Sequence, residues 1–126
     1  MARIILADDD EIVADLVTEA FMAAGHAVGW LKDGRSALEV IRRRPPDLAI
    51  LDCNMPELSG LNVLRELRQS ATLFNLPVLM LTGRQSNQDK EIARFEGAND
   101  YLRKPFEPMV LVERAEALIR GEHRWD

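Results

Sequence analysis

A chain of 126 residues accommodates one domain, which at this size buries roughly two-thirds of its unfolded surface, and leaves no room for a second folded output domain. With 47% hydrophobic and 29% charged residues and a formal net charge of -5, the composition excludes a disordered chain and disfavours nonspecific attraction to nucleic acid. The single cysteine, Cys53, excludes an internal disulfide and argues against a thiolate metal cage, which fits a reducing compartment.

Short apolar runs alternate with amphipathic stretches along the whole chain, the pattern of a parallel sheet with helices on both faces. The first run, a predicted strand over Arg3–Ala7, stops at Asp8, Asp9 and Asp10. It is too short for a signal peptide or a membrane span, so a cytoplasmic location without membrane association is expected. A helix over residues 11–24 follows, with Ile12, Val13, Leu16, Val17 and Ala20 expected on its inward face and Gly25 ending it. The second strand, Ala27–Leu31, leads to a helix over residues 35–43 with Leu38 and Ile41 inward. Arg42, Arg43 and Arg44 close that helix before Pro45 and Pro46, a solvated cationic end that suits the helix dipole.

The third strand, residues 48–51, is followed by Asp52, and a helix after Ser59 and Gly60 turns Leu64 and Leu67 inward. The fourth strand, residues 78–81, leads to Thr82 and Gly83. The helix over residues 86–96 offers only Ile92, Ala93 and Phe95 as apolar groups, which implies low local stability and suits an element that moves. A fifth strand, Asp100–Arg103, precedes Lys104 and Pro105, and the last helix, residues 108–120, opens with a first-turn proline and buries Leu111, Ala115 and Leu118. The domain is thus expected over residues 1–120, with 121–126, including Trp125, as a tail or the start of a linker. The first, third and fourth strands are almost wholly apolar, as central strands covered on both faces must be.

In a doubly wound sheet ligands bind outside the carboxyl ends of the strands, where strand order reverses. Asp8, Asp9 and Asp10, Asp52, Thr82 and Lys104 are therefore expected along one edge. A nucleotide or flavin site of this architecture would carry glycines, serines or threonines after the first strand; three aspartates there repel phosphate unless a cation intervenes. Two carboxylates about 4 Å apart repel by roughly 4 kcal/mol at an effective dielectric of 20, and a hard divalent ion resolves that. Magnesium is typically held by one or two carboxylates plus phosphate oxygens, which assigns Asp9 and Asp52 as ligands, Asp8 as an acceptor behind them and Asp10 as a helix N-cap.

Each residue also has a plainer reading. The aspartate triplet alone suits turn and capping chemistry, and Asp52 is a nucleophile, a metal ligand or an N-cap. Thr82 and the Lys104–Pro105 pair, the latter a candidate cis bond, read singly as turn residues. Jointly they supply what phosphoryl transfer to Asp52 requires: a carboxylate that forms an acyl phosphate, an ammonium beside it, and a hydroxyl that donates to a phosphoryl oxygen, with Gly83 leaving room. Cys53 reads as a small buried filler rather than a redox handle, while Arg84 and Asn54 border the expected path of attacking water. Neither His26 nor His123 has a metal-ligand neighbour at useful spacing, which argues against a phosphohistidine relay module.

The strings IILADDDE, PDLAILDCNMPELSG, PVLMLTG and GANDYLRKPF resemble the receiver domains of two-component response regulators, over about residues 3–120. The resemblance implies a flavodoxin-like (βα)5 three-layer sandwich whose five-stranded parallel sheet runs in the order 2-1-3-4-5. It implies Asp52 as phosphoacceptor, Asp8 and Asp9 as the acidic pair at a magnesium ion for which manganese can substitute, and Asn54 as donor of a backbone carbonyl to that ion. Thr82 is then the switch hydroxyl, Lys104 the phosphoryl-contacting cation and Tyr101 the aromatic rotamer switch. Implied partners are a sensor histidine kinase or histidine phosphotransfer protein and an output partner or domain reached through the fourth helix, fifth strand and fifth helix. The chain is expected as a monomer or a weak phosphorylation-dependent dimer. The paired charges of the winged-helix branch are matched by Asp100 and Arg114, whereas Ile92 and Val110 stand where charge is expected. A haloacid dehalogenase-type phosphatase also uses an aspartate nucleophile with magnesium, but Asn54 occupies the position where those enzymes need a second acid, so a turnover enzyme is not expected. Also weighed are a binding scaffold that has lost phosphorylation, against which the complete residue set argues, and a flavin binder, which would be coloured.

Overall fold

The structure is a computed structural model describing residues 1–83 and 87–122. Arg84, the first residue assigned to the fourth helix (Ser86), His123 and Trp125 lie outside the described residues. The elements follow in strict alternation: β1 Arg3–Ala7, α1 Glu11–Ala23, β2 Ala27–Leu31, α2 Gly34–Arg43, β3 Leu48–Asp52, α3 Gly60–Gln69, β4 Val78–Thr82, α4 Asn87–Glu96, β5 Asp100–Arg103 and α5 Pro108–Ile119. All strand pairs are parallel and the sheet order is β2-β1-β3-β4-β5. This is the expected flavodoxin-like three-layer sandwich. The three central strands are the three most deeply buried ones, because parallel strands covered by helices on both faces have no side for water.

Alternation along the strands divides the core in two. Ile5, Ala7, Ala49, Leu51, Val78 and Met80 face α2, α3 and α4. Ile4, Leu6, Leu48, Ile50, Leu79 and Leu81 face α1 and α5. Leu38 and Ile41 of α2, Leu64 and Leu67 of α3, and Leu111, Ala115 and Leu118 of α5 point inward as expected. The expectation for α1 requires correction. Its buried residues are Ala14, Val17 and Phe21, with Val13 and Ala20 half-buried, whereas Ile12 is 73% and Leu16 52% exposed. The apolar stripe of α1 is wider than the face the sheet covers, and Phe21, the bulkiest group, decides which part goes inside. A side chain of that size stabilises by about 1.5–3 kcal/mol when buried. Among the described side chains of α4 only Ala93 is buried, Ile92 is half-buried, and Phe95 is 88% exposed.

Caps set the helix starts. Asp10 Oδ1 accepts from the N–H groups of Ile12 and Val13 at 2.9 and 3.3 Å, so Asp10 serves the helix as expected. Asp33 caps α2 and Ser59 caps α3. Gly60 begins α3 pressed against the backbone carbonyl of Asp52, where a Cβ would collide. Gly25 follows α1 at φ +89°, the left-handed conformation that ends it. The ladder continues one residue beyond the expected ends of β3 and β4, because Cys53 N–H donates to Leu81 O and Lys104 N–H to Thr82 O, each at 2.8 Å. Asp52 and Thr82 are thus the last residues of rigid strands. No helix among the described residues is long and apolar enough to cross a membrane.

Candidate functional site

The chain leaves β1 toward β2 on one side and returns with β3 on the other, opening a crevice at the carboxyl ends of β1 and β3. Asp8 and Asp9 stand on one wall and Asp52 on the other, their carboxylate oxygens all within 4.8 Å of one another. Asp8 is fully buried, Asp52 is 6% exposed, and Asp9 opens to solvent. Lys104 enters from the end of β5, across a cis bond to Pro105. Its Nζ lies 2.7 Å from Asp8 Oδ2 and 3.3 Å from Asp52 Oδ2. Asn54 is exposed, and its backbone N–H donates to Asp52 Oδ1 at 3.3 Å.

Three carboxylates against one ammonium leave two local negative charges uncompensated. Burial pushes the Asp52 carboxyl up to about 6; the Lys104 charge opposes that shift and the Asp8 charge adds to it. Burial alone would lower the Lys104 ammonium, but its contacts with Asp8 and Asp52 outweigh this and raise it. An all-oxygen acidic cluster with a surplus of negative charge fits a hard divalent cation. Asp10, turned toward its own helix, stands apart from it.

Thr82, fully buried, donates its hydroxyl to Gly83 O at 3.4 Å. Tyr101 lies inside the protein, with Arg103 Nε 3.4 Å from its hydroxyl and Lys90 Nζ 5.6 Å from its ring centroid. Asp100 is buried and meets Arg114 of its own chain at 3.4 Å. Cys53 is buried, and that burial pushes its thiol up to about 12, which makes it an inert filler. His26 accepts the Ala2 N–H on Nδ1 and meets Glu116 through Nε2 at 2.8 Å, remote from the crevice.

Asp8, Asp9, Asp52 and Lys104, which the sequence assigns to one edge, thus converge in contact. Two features escaped the sequence reading. Trp30, on β2, donates its indole N–H to the backbone carbonyl of Asp8 at 2.7 Å. An apolar cleft beside Lys104 is lined by Val13, Leu16, Pro105 and Phe106 and bordered by Asp10. The surplus apolar residues of α1 were the signal for the cleft; nothing in the pattern of β2 marks Trp30 as more than a strand aromatic.

The family model described as response regulator receiver domain matches residues 4–116. Among curated proteins, the chain is 40% identical over 118 residues to response regulator MprA of Mycolicibacterium vanbaalenii, covering 94% of this chain and 50% of that protein. It is 37% identical over 124 residues to regulatory protein VanRc of Enterococcus gallinarum, covering 98% and 52%. The chain therefore spans about half the length of the curated relatives it matches. Among solved structures, a putative response regulator from Chloroflexus aurantiacus superposes with a TM-score of 0.90 at 34% identity, covering 94% of this chain and 98% of that one. Chemotaxis response regulator CheY4 of Vibrio cholerae superposes at 0.87 with 30% identity, covering 94% and 98%. A shared fold, a family match over most of the chain and an acid–lysine crevice at the strand ends agree: this chain belongs to the response regulator receiver domain family.

Proposed function

We propose that this chain is a magnesium-dependent phosphorylation switch in which Asp52 accepts the phosphoryl group. The observation that carries the reading is the Lys104 ammonium set between Asp8 and Asp52, with the open carboxylate of Asp9 beside them. A carboxylate oxygen of Asp52 attacks phosphorus, the bond from phosphorus to the donor's imidazole nitrogen breaks, and the imidazole leaves with its electron pair. Although burial raises Asp52 to about 6, it is mainly ionised at neutral pH and available as nucleophile. Hydrolysis reverses the modification: water attacks phosphorus, releasing inorganic phosphate and the free carboxylate. Asp9, Asp52 and the Asn54 carbonyl would hold the ion, with Asp8 behind them; when bound, Mg2+ or Mn2+ supplies charge neutralisation to phosphoryl transfer.

Lys104 and Thr82 contact the phosphoryl oxygens in this reading. Drawing the Thr82 hydroxyl away from Gly83 O couples the site to α4, β5 and α5, with Tyr101 as the aromatic reporter of the switch. The donor is a sensor histidine kinase or a histidine phosphotransfer protein, and the output is a partner or attached domain; the chain modifies itself and does not turn over substrate. A cytoplasmic setting follows from that donor. Asp52→Asn is expected to abolish labelling by acetyl phosphate with Mg2+, and continued labelling at another residue would overturn the assignment. The exposed Ile12 and Leu16, next to the cleft that Lys104 borders, form the donor's docking face. Ile12→Lys is therefore expected to slow transfer from a protein donor at least tenfold while leaving acetyl phosphate labelling unchanged; equal loss with both donors would exclude a docking role.

A further inference from the structure

We infer that Trp30 is a positioning residue for the metal site, its indole N–H holding the Asp8–Asp9 peptide so that the Asp9 carboxylate faces Asp52; this inference rests on the reading of the site given above. Asp9 is exposed, and no hydrogen bond to its carboxylate is found among the described residues, so its aim is set by the backbone that carries it. That backbone is held from β2 at two points. Asp8 N–H donates to Leu31 O at 3.1 Å, and Asp8 C=O accepts from Trp30 Nε1 at 2.7 Å, the short end of the range for such a bond. The second contact is the one that reaches Asp9. A peptide unit is planar, so fixing the carbonyl of Asp8 fixes the N–H of Asp9 and the direction in which its Cα departs. The Asp8 carboxylate reinforces the turn by accepting Asp10 N–H at 2.9 Å.

The donor is itself rigid. Trp30 packs against the core formed with α1 and α5, and Lys32 Nζ lies 5.4 Å from its ring centroid. Its residue type matters for the N–H, because any apolar group could fill the same space but none could bond the carbonyl. Groups behind the ligands orient them, and loosening one lowers metal affinity without removing a ligand.

The test uses the full chain with Trp125→Phe, which leaves Trp30 as the sole tryptophan. Two further proteins in that background replace it: Trp30→Phe, and a second carrying benzothienylalanine in place of Trp30, which keeps the bicyclic shape but has sulfur where the N–H stood. Mg2+ alone is titrated into each by calorimetry, and the Trp30 indole N–H resonance is followed in the parent. The resonance is expected to move and to saturate at the calorimetric Kd. Both replacements are expected to weaken binding about fivefold, the loss of one net hydrogen bond. Labelling by acetyl phosphate should slow at low Mg2+ and recover the parent rate at saturation. Undiminished affinity with the benzothienyl isostere, or an indole resonance indifferent to Mg2+, would overturn the role of Trp30. A parent that takes up no Mg2+ would instead overturn the metal site itself, and this inference with it.

Discussion

In the proposed switch Asp52 has to be buried enough to react in a dry site and ionised enough to attack, and its raised pKa reflects both demands. Its ordinary value is 3.8 and burial lifts it to about 6, so between those limits the folded chain binds more protons than the unfolded chain. Stability in metal-free buffer should therefore fall as pH rises from about 4 to about 6 and level off above, the opposite of an ion-paired surface carboxylate. Asparagine at this position does not ionise. Urea denaturation should find Asp52→Asn more stable than the parent at pH 7.5 by on the order of 2 kcal/mol, with the gap closing near pH 4. Asp8, Asp9, Asp52 and Lys104 were legible from the sequence because each stands directly at a strand end, where chain direction alone dictates convergence. Trp30 was not, since its partner is a backbone carbonyl, and no residue type in the sequence marks which carbonyl a neighbouring strand will reach.

Between elements, arginine does much of the fastening. Arg68 of α3 donates to Gly97 O at 2.9 Å, Leu76 O at 2.8 Å and Asn99 Oδ1 at 2.8 Å, and Asn99 Oδ1 also accepts Val78 N–H at 2.9 Å. The end of α4 and the starts of β4 and β5 are thus tied to α3 through one half-buried guanidinium, although among the described side chains of α4 only Ala93 is buried. Arg68→Ala should cost about 2–3 kcal/mol in urea denaturation, because it leaves carbonyls without their charged donor. Arg65 pairs with Glu96 on the surface at 3.1 Å, and Arg65→Ala should cost under about 1 kcal/mol. The bounds of α1, α2 and α5 lie within one residue of those expected, since Asp10, Gly25 and Pro108 are caps and stops with local causes, whereas no end was readable for α3. Which face of α1 goes inward was not readable, because Ile12, Val13, Leu16, Val17 and Phe21 spread over roughly half of the helix circumference and only the neighbouring α5 and sheet select among them.

At the scale of the molecule, the proposed cation site would link ion binding to folding. An ion that meets Asp8, Asp9 and Asp52 only when β1 and β3 are paired stabilises the folded chain by about 2.7 kcal/mol at 100 times its Kd. Mg2+ should accordingly raise the urea midpoint in a saturable manner, chelation should return it, and Asp9→Asn should remove most of the effect; a midpoint indifferent to Mg2+ in the parent would argue against the site. The order of apolar runs, caps and glycines along the chain was sufficient to determine the alternating fold, the central strands and the edge on which the acids gather, because those follow from periodicity and local chemistry. Only the tertiary structure decided the depth of Asp52, the indole on the Asp8 carbonyl and the outward turn of Ile12 and Leu16. Burial, direction and exposure depend on which distant segments arrive beside a residue, and packing settles that after local preference has done its part.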